Sequence, residues 1–211
     1  TFIIKGGPGT GKTILAIYLI KTLVELEDTK HLKIALVVPM TSLRKTLQSV
    51  FKGIKNLKSS MVIGPAEVAR QEYDILIVDE AHRLKKRQNI TNYRAFDRVN
   101  KILGFGKDGT ELDWILKRSK TQILFFDKNQ SVRPSDIHYT NFEKLSSVAF
   151  ELKTQKRIGE NGEGDNYINF INSIFDQIEY GDSKFENYEF KIFDNLEEMV
   201  NQIKSKEKRR D

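Results

Sequence analysis

Eight residues near the start of the chain, Gly6-Gly7-Pro8-Gly9-Thr10-Gly11-Lys12-Thr13, have the types and spacing needed to hold a phosphate chain. The glycines let the backbone bend until several N–H groups face one cluster of oxygens. Phe2-Ile3-Ile4 precedes the loop and an apolar run from Ile14 to Ile20 follows it. The loop is therefore expected between a strand and a helix whose positive end points at the same oxygens. Lys12 is placed to reach β- and γ-phosphates, and the Thr13 hydroxyl to ligate Mg2+. The alternative is a glycine-rich turn that binds nothing. The flanking strand, the Lys-Thr pair and the helix argue together against it.

Two more clusters suit the same chemistry. Asp79-Glu80-Ala81-His82 follows the apolar run ending at Val78. Asp79 is expected to hold Mg2+, directly or through water, and Glu80 to orient and activate the attacking water. Adjacent acids can also cap a following helix. The phosphate loop earlier in the chain favours the metal reading. His82 is open between simple packing and coupling the nucleotide site to a partner site. Asp127-Lys128-Asn129-Gln130-Ser131-Val132-Arg133-Pro134 follows another apolar run, residues 121–126. Gln130 can bond both a γ-phosphate oxygen and a nearby carbonyl or water, which makes it a candidate sensor of ATP against ADP. A polar turn before Pro134 is the plainer reading. His31, His82 and His138 are too scattered in sequence to form a metal site.

The elements that must position these residues alternate. Strands are expected at 1–5, 32–38, 60–63, 73–78, 121–126 and 148–152, and helices at 12–27, 41–51, 92–103 and 111–117. Farther on come a helix over 165–179, a strand over Tyr188–Phe193, a helix over 196–203 and a frayed charged tail. Continuous apolar runs such as Leu32–Val38 point to strands covered on both faces. The alternation predicts an α/β fold: a RecA-like P-loop arrangement, a parallel sheet with helices on both faces. Ligands of such sheets sit at the carboxyl ends of the strands. All three clusters fall there.

The chain has 211 residues, enough for one large domain or one domain and a fragment. Of these, 39% are hydrophobic and 30% charged, which fits a globular core with a charged surface. The net charge of +6 is permissive for nucleic acid. There is no cysteine, so disulfides and thiolate metal sites are excluded. No apolar run approaches a membrane span. A cytoplasmic protein with no membrane partner is expected.

The three clusters in this order resemble the core of superfamily 1 helicases and related RecA-like motor ATPases. The likeness is greatest to the Schlafen-group DNA/RNA helicase-like P-loop ATPase family. There Asp-Glu-Ala-His-Arg-Leu and Asp-x-x-Gln-x-Val-x-Pro occur in the order of Asp79–Leu84 and Asp127–Pro134. The likeness covers residues 1 to about 160. Gln130 separates the chain from superfamily 2 helicases, which carry Ser-Ala-Thr at that place. The resemblance implies ATP and Mg2+ as cofactors, ATP hydrolysis as the reaction, and single-stranded DNA or RNA as partner. It also implies two further sites. Pro39-Met40-Thr41-Ser42-Leu43 stands where motif Ia touches the nucleic-acid backbone, so Thr41 and Ser42 are phosphate-contact candidates, and equally helix-cap candidates. Leu152 to Arg157 resembles motif IV, and Arg157 is the arginine-finger candidate.

Residues 1–182 are expected to form the first RecA-like lobe, and 183–211 the truncated start of a second. The family's adenine-reading glutamine segment would lie before the first strand, and the chain opens inside that strand. Such a piece should bind nucleotide, hydrolyse it slowly and not translocate. Lys85-Lys86-Arg87 with Arg94, Arg98 and Lys101 could line a nucleic-acid track, although a solvated charged face is favoured. Tyr93, Phe105 and Trp114 could stack on bases, with Trp114 expected in the core instead. The alternative function is a nucleotide-dependent regulatory switch that acts on a protein partner without unwinding. A GTPase is disfavoured, because Asp127-Lys128-Asn129 does not give the order Asn-Lys-x-Asp.

Overall fold

A sequence that alternates fully apolar runs with amphipathic ones must cover the apolar runs on both sides. The computed structural model describes residues 1–154, 163–178 and 191–207. It divides into two compact units, Thr1–Lys156 and Arg157–Asp211. The first contains β1 (Phe2–Gly6), α1 (Lys12–Glu25), β2 (Ile34–Val37), α2 (Thr41–Gly53), β3 (Val62–Ile63) and β4 (Tyr73–Val78). It continues with α3 (Tyr93–Ile102), α4 (Glu111–Arg118), β5 (Ser119–Phe126), α5 (Tyr139–Glu143) and β6 (Val148–Leu152). The described helices of the second unit are α6 (Glu163–Asp176) and α7 (Leu196–Glu207).

The six strands form one sheet in the order β3-β2-β4-β5-β1-β6. Every pairing is parallel. This is the RecA-like P-loop α/β fold expected from the sequence. Its strands are apolar throughout because each face is covered. Ile34, Leu36 and Val38 pack with Ala16 and Ile20 of α1 and Leu47 and Phe51 of α2. The alternate residues Ala35 and Val37 pack on the other face with Leu112 and Ile115 of α4 and Phe142 of α5. The register sets Val37 beside Val78, Val78 beside Leu124, and Lys5 beside Phe126. The carboxyl ends of β1, β4 and β5 are therefore nearly level.

Several boundaries depart from the sequence reading. The strand expected at 60–63 is regular only at Val62–Ile63, after a 3-10 turn at Ser59–Met61. Helix α5 was not expected; at five residues it is too short to show helical periodicity. Neither Thr41 nor Ser42 caps α2. Met40 takes the extended cap conformation, and no side chain makes a cap hydrogen bond there. Residues 188–190 of the expected strand lie outside the described residues. Residues 191–193 have no regular structure, and no described strand pairs with them.

Trp114 is in the core, as expected. Its Nε1 donates to Asn100 Oδ1 at 2.6 Å, and Asn100 Nδ2 donates to the Gly109 carbonyl at 3.1 Å. A side chain at Gly109 would press on Asn100, since a Cβ there would lie 2.6 Å from Oδ1. Asn100 thus fastens α3, α4 and their connection through one buried amide. Replacing Asn100 with Ala leaves the indole N–H and a carbonyl unpaired. The expected loss is about 2–4 kcal/mol of unfolding free energy. Urea unfolding followed by Trp114 fluorescence measures it, and a loss well below 1 kcal/mol would show that the amide does not fasten these elements.

Candidate functional site

Backbone shape comes first at the amino end of α1. Gly9 has φ 76° and Gly11 φ 86°, left-handed values that side chains with a Cβ rarely adopt. Gly6 passes too close for a side chain: a Cβ there would lie 2.6 Å from Thr10 Oγ1. Thr10 Oγ1 in turn donates to the Gly7 carbonyl at 2.9 Å. The loop therefore curls around Lys12. That ammonium is buried and donates to the carbonyls of Gly6 (2.7 Å) and Gly7 (2.8 Å). Asp127 Oδ2 stands 3.6 Å away and balances its charge.

The second group enters from β4. Thr13 Oγ1 donates to Asp79 Oδ2 at 2.8 Å. Asp79 is fully buried, and its Oδ1 has no hydrogen-bond partner. Burial pushes its pKa above the usual carboxylate value, and the Thr13 bond only partly offsets this. A buried carboxylate with one satisfied and one free oxygen, beside a hydroxyl, fits a hard cation. Among the described residues no cluster of three or more His, Asp or Glu could hold a metal. Thr13 and Asp79 are thus the residues that could hold a hard cation of the Mg2+ kind, which takes few ligands from the protein.

Glu80 sits in a left-handed conformation, φ 55° and ψ 44°. Its Oε2 lies 3.0 Å from His82 Nε2. The His82 contact is the chief reason the Glu80 pKa is held below the usual range, so the carboxylate is charged at neutral pH. His82 is completely buried, and its Nδ1 accepts the Asp127 N–H at 3.3 Å. That bond assigns the proton to Nε2, facing Glu80. Asp127 is the hub of the third group. Its Oδ2 accepts from Gln130 Nε2 at 2.7 Å and its Oδ1 from Asn129 N–H at 3.1 Å.

Lys12, Thr13, Asp79, Glu80 and Gln130 are therefore brought together. Thr41 and Ser42 are exposed at the start of α2 and make no bond to this cluster. Arg157 lies outside the described residues. The roles of His82 and Asp127 were not legible: both sit inside quoted motifs, but their partners come from other strands. Two positions outside the motifs support the cluster from behind. Asp136 Oδ2 accepts from the N–H groups of Val132 (3.3 Å) and Arg133 (3.0 Å) and lies 3.6 Å from Arg83 Nη1. Glu111 Oε2 accepts the Lys85 N–H at 2.8 Å while its own N–H donates to the Lys85 carbonyl.

The family model described as Schlafen group 3, DNA/RNA helicase domain, matches residues 1–211. No curated protein matches the chain. Similar solved structures include two Pif1 helicases coordinating on forked duplex DNA, with TM-score 0.38, 15% identity, and 82% of this chain against 43% of that one. Bacteroides Pif1 bound to single-stranded DNA gives TM-score 0.43 and 15% identity, covering 98% of this chain and 52% of that one. A DNA replication initiation factor gives TM-score 0.35 and 16% identity, covering 96% and 53%. The chain spans about half the length of these structures. No described helix is long and apolar enough to cross a membrane.

The Glu111 clamp has a pH signature. Burial raises the Glu111 pKa from 4.5 to about 7, against the opposing Lys85 backbone bond and the charges of Lys85 and Arg44. Between these values the folded chain holds a proton that the unfolded chain has released. Stability contributed by this site is thus greatest below pH 4.5 and falls as pH rises toward 7. Glu111→Gln keeps an acceptor for Lys85 and removes the proton. The variant is expected to unfold at higher urea above pH 7, by up to about 3 kcal/mol, with a flatter pH profile. An unchanged profile in urea titrations across that range would show that Glu111 does not bind the proton.

Proposed function

The chain belongs to the Schlafen group 3 DNA/RNA helicase domain family, and on that premise we propose that it is a Mg2+-dependent, ATP-hydrolysing lobe of a helicase-like motor acting on single-stranded nucleic acid. The observation that carries this reading is the Thr13–Asp79 contact at 2.8 Å beside the free, buried Asp79 Oδ1, next to the Lys12 ammonium. It is a phosphate cradle and a cation ligand set in one place. The loop N–H groups and the amino end of α1 bind the phosphates. Lys12 exchanges its two carbonyl bonds for phosphate oxygens. Thr13 and Asp79 would hold Mg2+, which would supply charge neutralisation at the phosphate oxygens.

Glu80 orients the attacking water. Its depressed pKa keeps it ionised, so it accepts a hydrogen bond from water at neutral pH, and His82 fixes its direction. Gln130 reads the γ-phosphate, and its bond to Asp127 links that reading to Lys12. Arg157 is proposed to stabilise the developing charge, and Thr41 and Ser42 to touch a nucleic-acid phosphate.

Three substitutions separate these roles. Lys12→Ala removes tight ATP binding, measured by fluorescence of a labelled nucleotide. Glu80→Gln keeps binding and lowers turnover by about a hundredfold or more. His82→Ala also keeps binding and lowers turnover by about tenfold to a hundredfold, because Glu80 loses its orienting partner. Normal hydrolysis by Glu80→Gln would remove Glu80 from the reaction. Turnover of the unaltered chain is expected to rise with added single-stranded DNA or RNA. If it does not, and no salt-dependent binding is seen, the nucleic-acid part of the reading is wrong.

A further inference from the structure

The sheet has two edges, and only one of them is long enough to pair again. The β3 edge offers Val62 and Ile63, both buried. The β6 edge offers five residues, Val148-Ala149-Phe150-Glu151-Leu152, and among the described residues no strand pairs with its outer side. Natural proteins blunt such edges with Lys, Pro, a bulge or a covering element. β6 contains neither Lys nor Pro. Its register with β1 runs without a bulge, from Phe2 beside Val148 to Gly6 beside Leu152. Its one charged residue, Glu151, stands beside Lys5 of β1. Val148 and Phe150 are 54% and 55% exposed and, with Phe2 at 37%, form an apolar strip. The strip lies on the same face as Ile4, which packs toward α1 and α2.

We propose that β6 pairs antiparallel with β6 of a second copy of this chain, about a twofold axis at Phe150. This surface is independent of the nucleotide and nucleic-acid readings above. The backbone sets which groups are available. The Val148 N–H donates to the Thr1 carbonyl at 3.1 Å. Alternate residues of a parallel ladder turn the same way, so Val148, Phe150 and Leu152 direct their N–H and C=O groups at β1. Those of Ala149 and Glu151 point away from the sheet. With the axis at Phe150, Ala149 of each copy faces Glu151 of the other, and each such pair exchanges both of its hydrogen bonds. Phe150 faces its own mate and Val148 faces Leu152, so the apolar strip continues across the axis. No acid is directly opposite an acid, and the small Ala149 leaves room for the Glu151 stem. A second copy fits this edge better than an unrelated strand, because one set of residues satisfies both sides of the interface. A strand of five residues buries too little surface for a permanent dimer, so the association is weak and reversible.

The test uses the full chain. Sedimentation should show monomer giving way to dimer as concentration rises through the micromolar range, with nothing larger, since pairing uses up the available edge. Ala149→Pro removes an N–H that β1 does not use, at the kind of edge position where Pro is tolerated. Its urea midpoint should match that of the unaltered chain, and it should stay monomeric. The chain has no cysteine, so single introduced thiols report the register. Phe150→Cys sets two thiols across the axis on Cα atoms about 4.5 Å apart, and mild oxidation should give a covalent dimer that reductant separates. Val148→Cys puts the two thiols about 13 Å apart along the strands and should stay uncoupled. Should Ala149→Pro not fold, the two thiol variants decide the question alone. A chain that remains monomeric throughout the range overturns the proposal, and is the result expected if another part of the chain or a strand of a different protein occupies the edge. Dimerisation of a folded Ala149→Pro variant, or coupling of Val148→Cys as readily as Phe150→Cys, overturns it equally.

Discussion

The structure depends on one constraint: three parallel strands must end level so that charges which no core would accept can meet at their tips. Lys12, Asp79 and Asp127 are all nearly removed from water. Burying such groups singly is strongly unfavourable. Here the ammonium is shared by two carbonyls and one carboxylate, and Asp79 has a hydroxyl on one side. The balance is incomplete. Two buried carboxylates and the half-buried Glu80 face one buried ammonium, and Asp79 keeps an unpaired oxygen and a pKa raised chiefly by burial, with the Glu80 charge adding to it. A site short of positive charge in a rigid frame is prepared for a cation. The loop N–H groups beside it are prepared for an anion, and a metal–phosphate pair supplies both.

The frame is rigid because the strands are apolar on both faces. Leu36, Leu76, Ile77 and Leu124 are fully buried, so a slip of one residue would turn core side chains toward the wrong layer. That register fixes Asp79 and Asp127 at adjacent strand ends, in reach of Lys12 and Thr13. Core packing and site geometry are therefore the same constraint at two distances from the sheet edge. His82 extends it sideways. By accepting the Asp127 N–H while facing Glu80, it ties the turn after β4 to the turn after β5. Beyond it, the Lys85–Asp136 bridge and the Glu111 clamp continue the join for several residues.

Local sequence signals made most of the fold legible. Tyr73–Val78 was bounded correctly because an unbroken apolar run stops at a pair of acids. The phosphate loop was legible because its glycines, Lys and Thr answer to backbone geometry within a few residues. What stayed hidden depends on distant partners. Asp127 read as the first letter of a motif whose Gln mattered, yet it holds Lys12, Gln130 and the N–H of Asn129. Nothing near His82 in sequence shows that its ring meets the backbone of residue 127. Thr41 and Ser42 read as caps from residue type, but the chain enters α2 one residue earlier, at Met40. Asp136 and Glu111 had no signal beyond being acids near turns.

Buried polar atoms without hydrogen-bond partners among the described residues include Asp79 Oδ1, Arg83 Nε and Asp136 Oδ1 near this edge, and Arg118 Nε at the opposite end of β5. Each costs about 1–3 kcal/mol if nothing pairs with it. A fold selected for stability alone would have replaced them with apolar groups, as it did along the strands behind them. Asp79 awaits a ligand directly. Arg83 and Asp136, 3.6 Å apart and each with an unpaired buried atom, join the segments that follow β4 and β5.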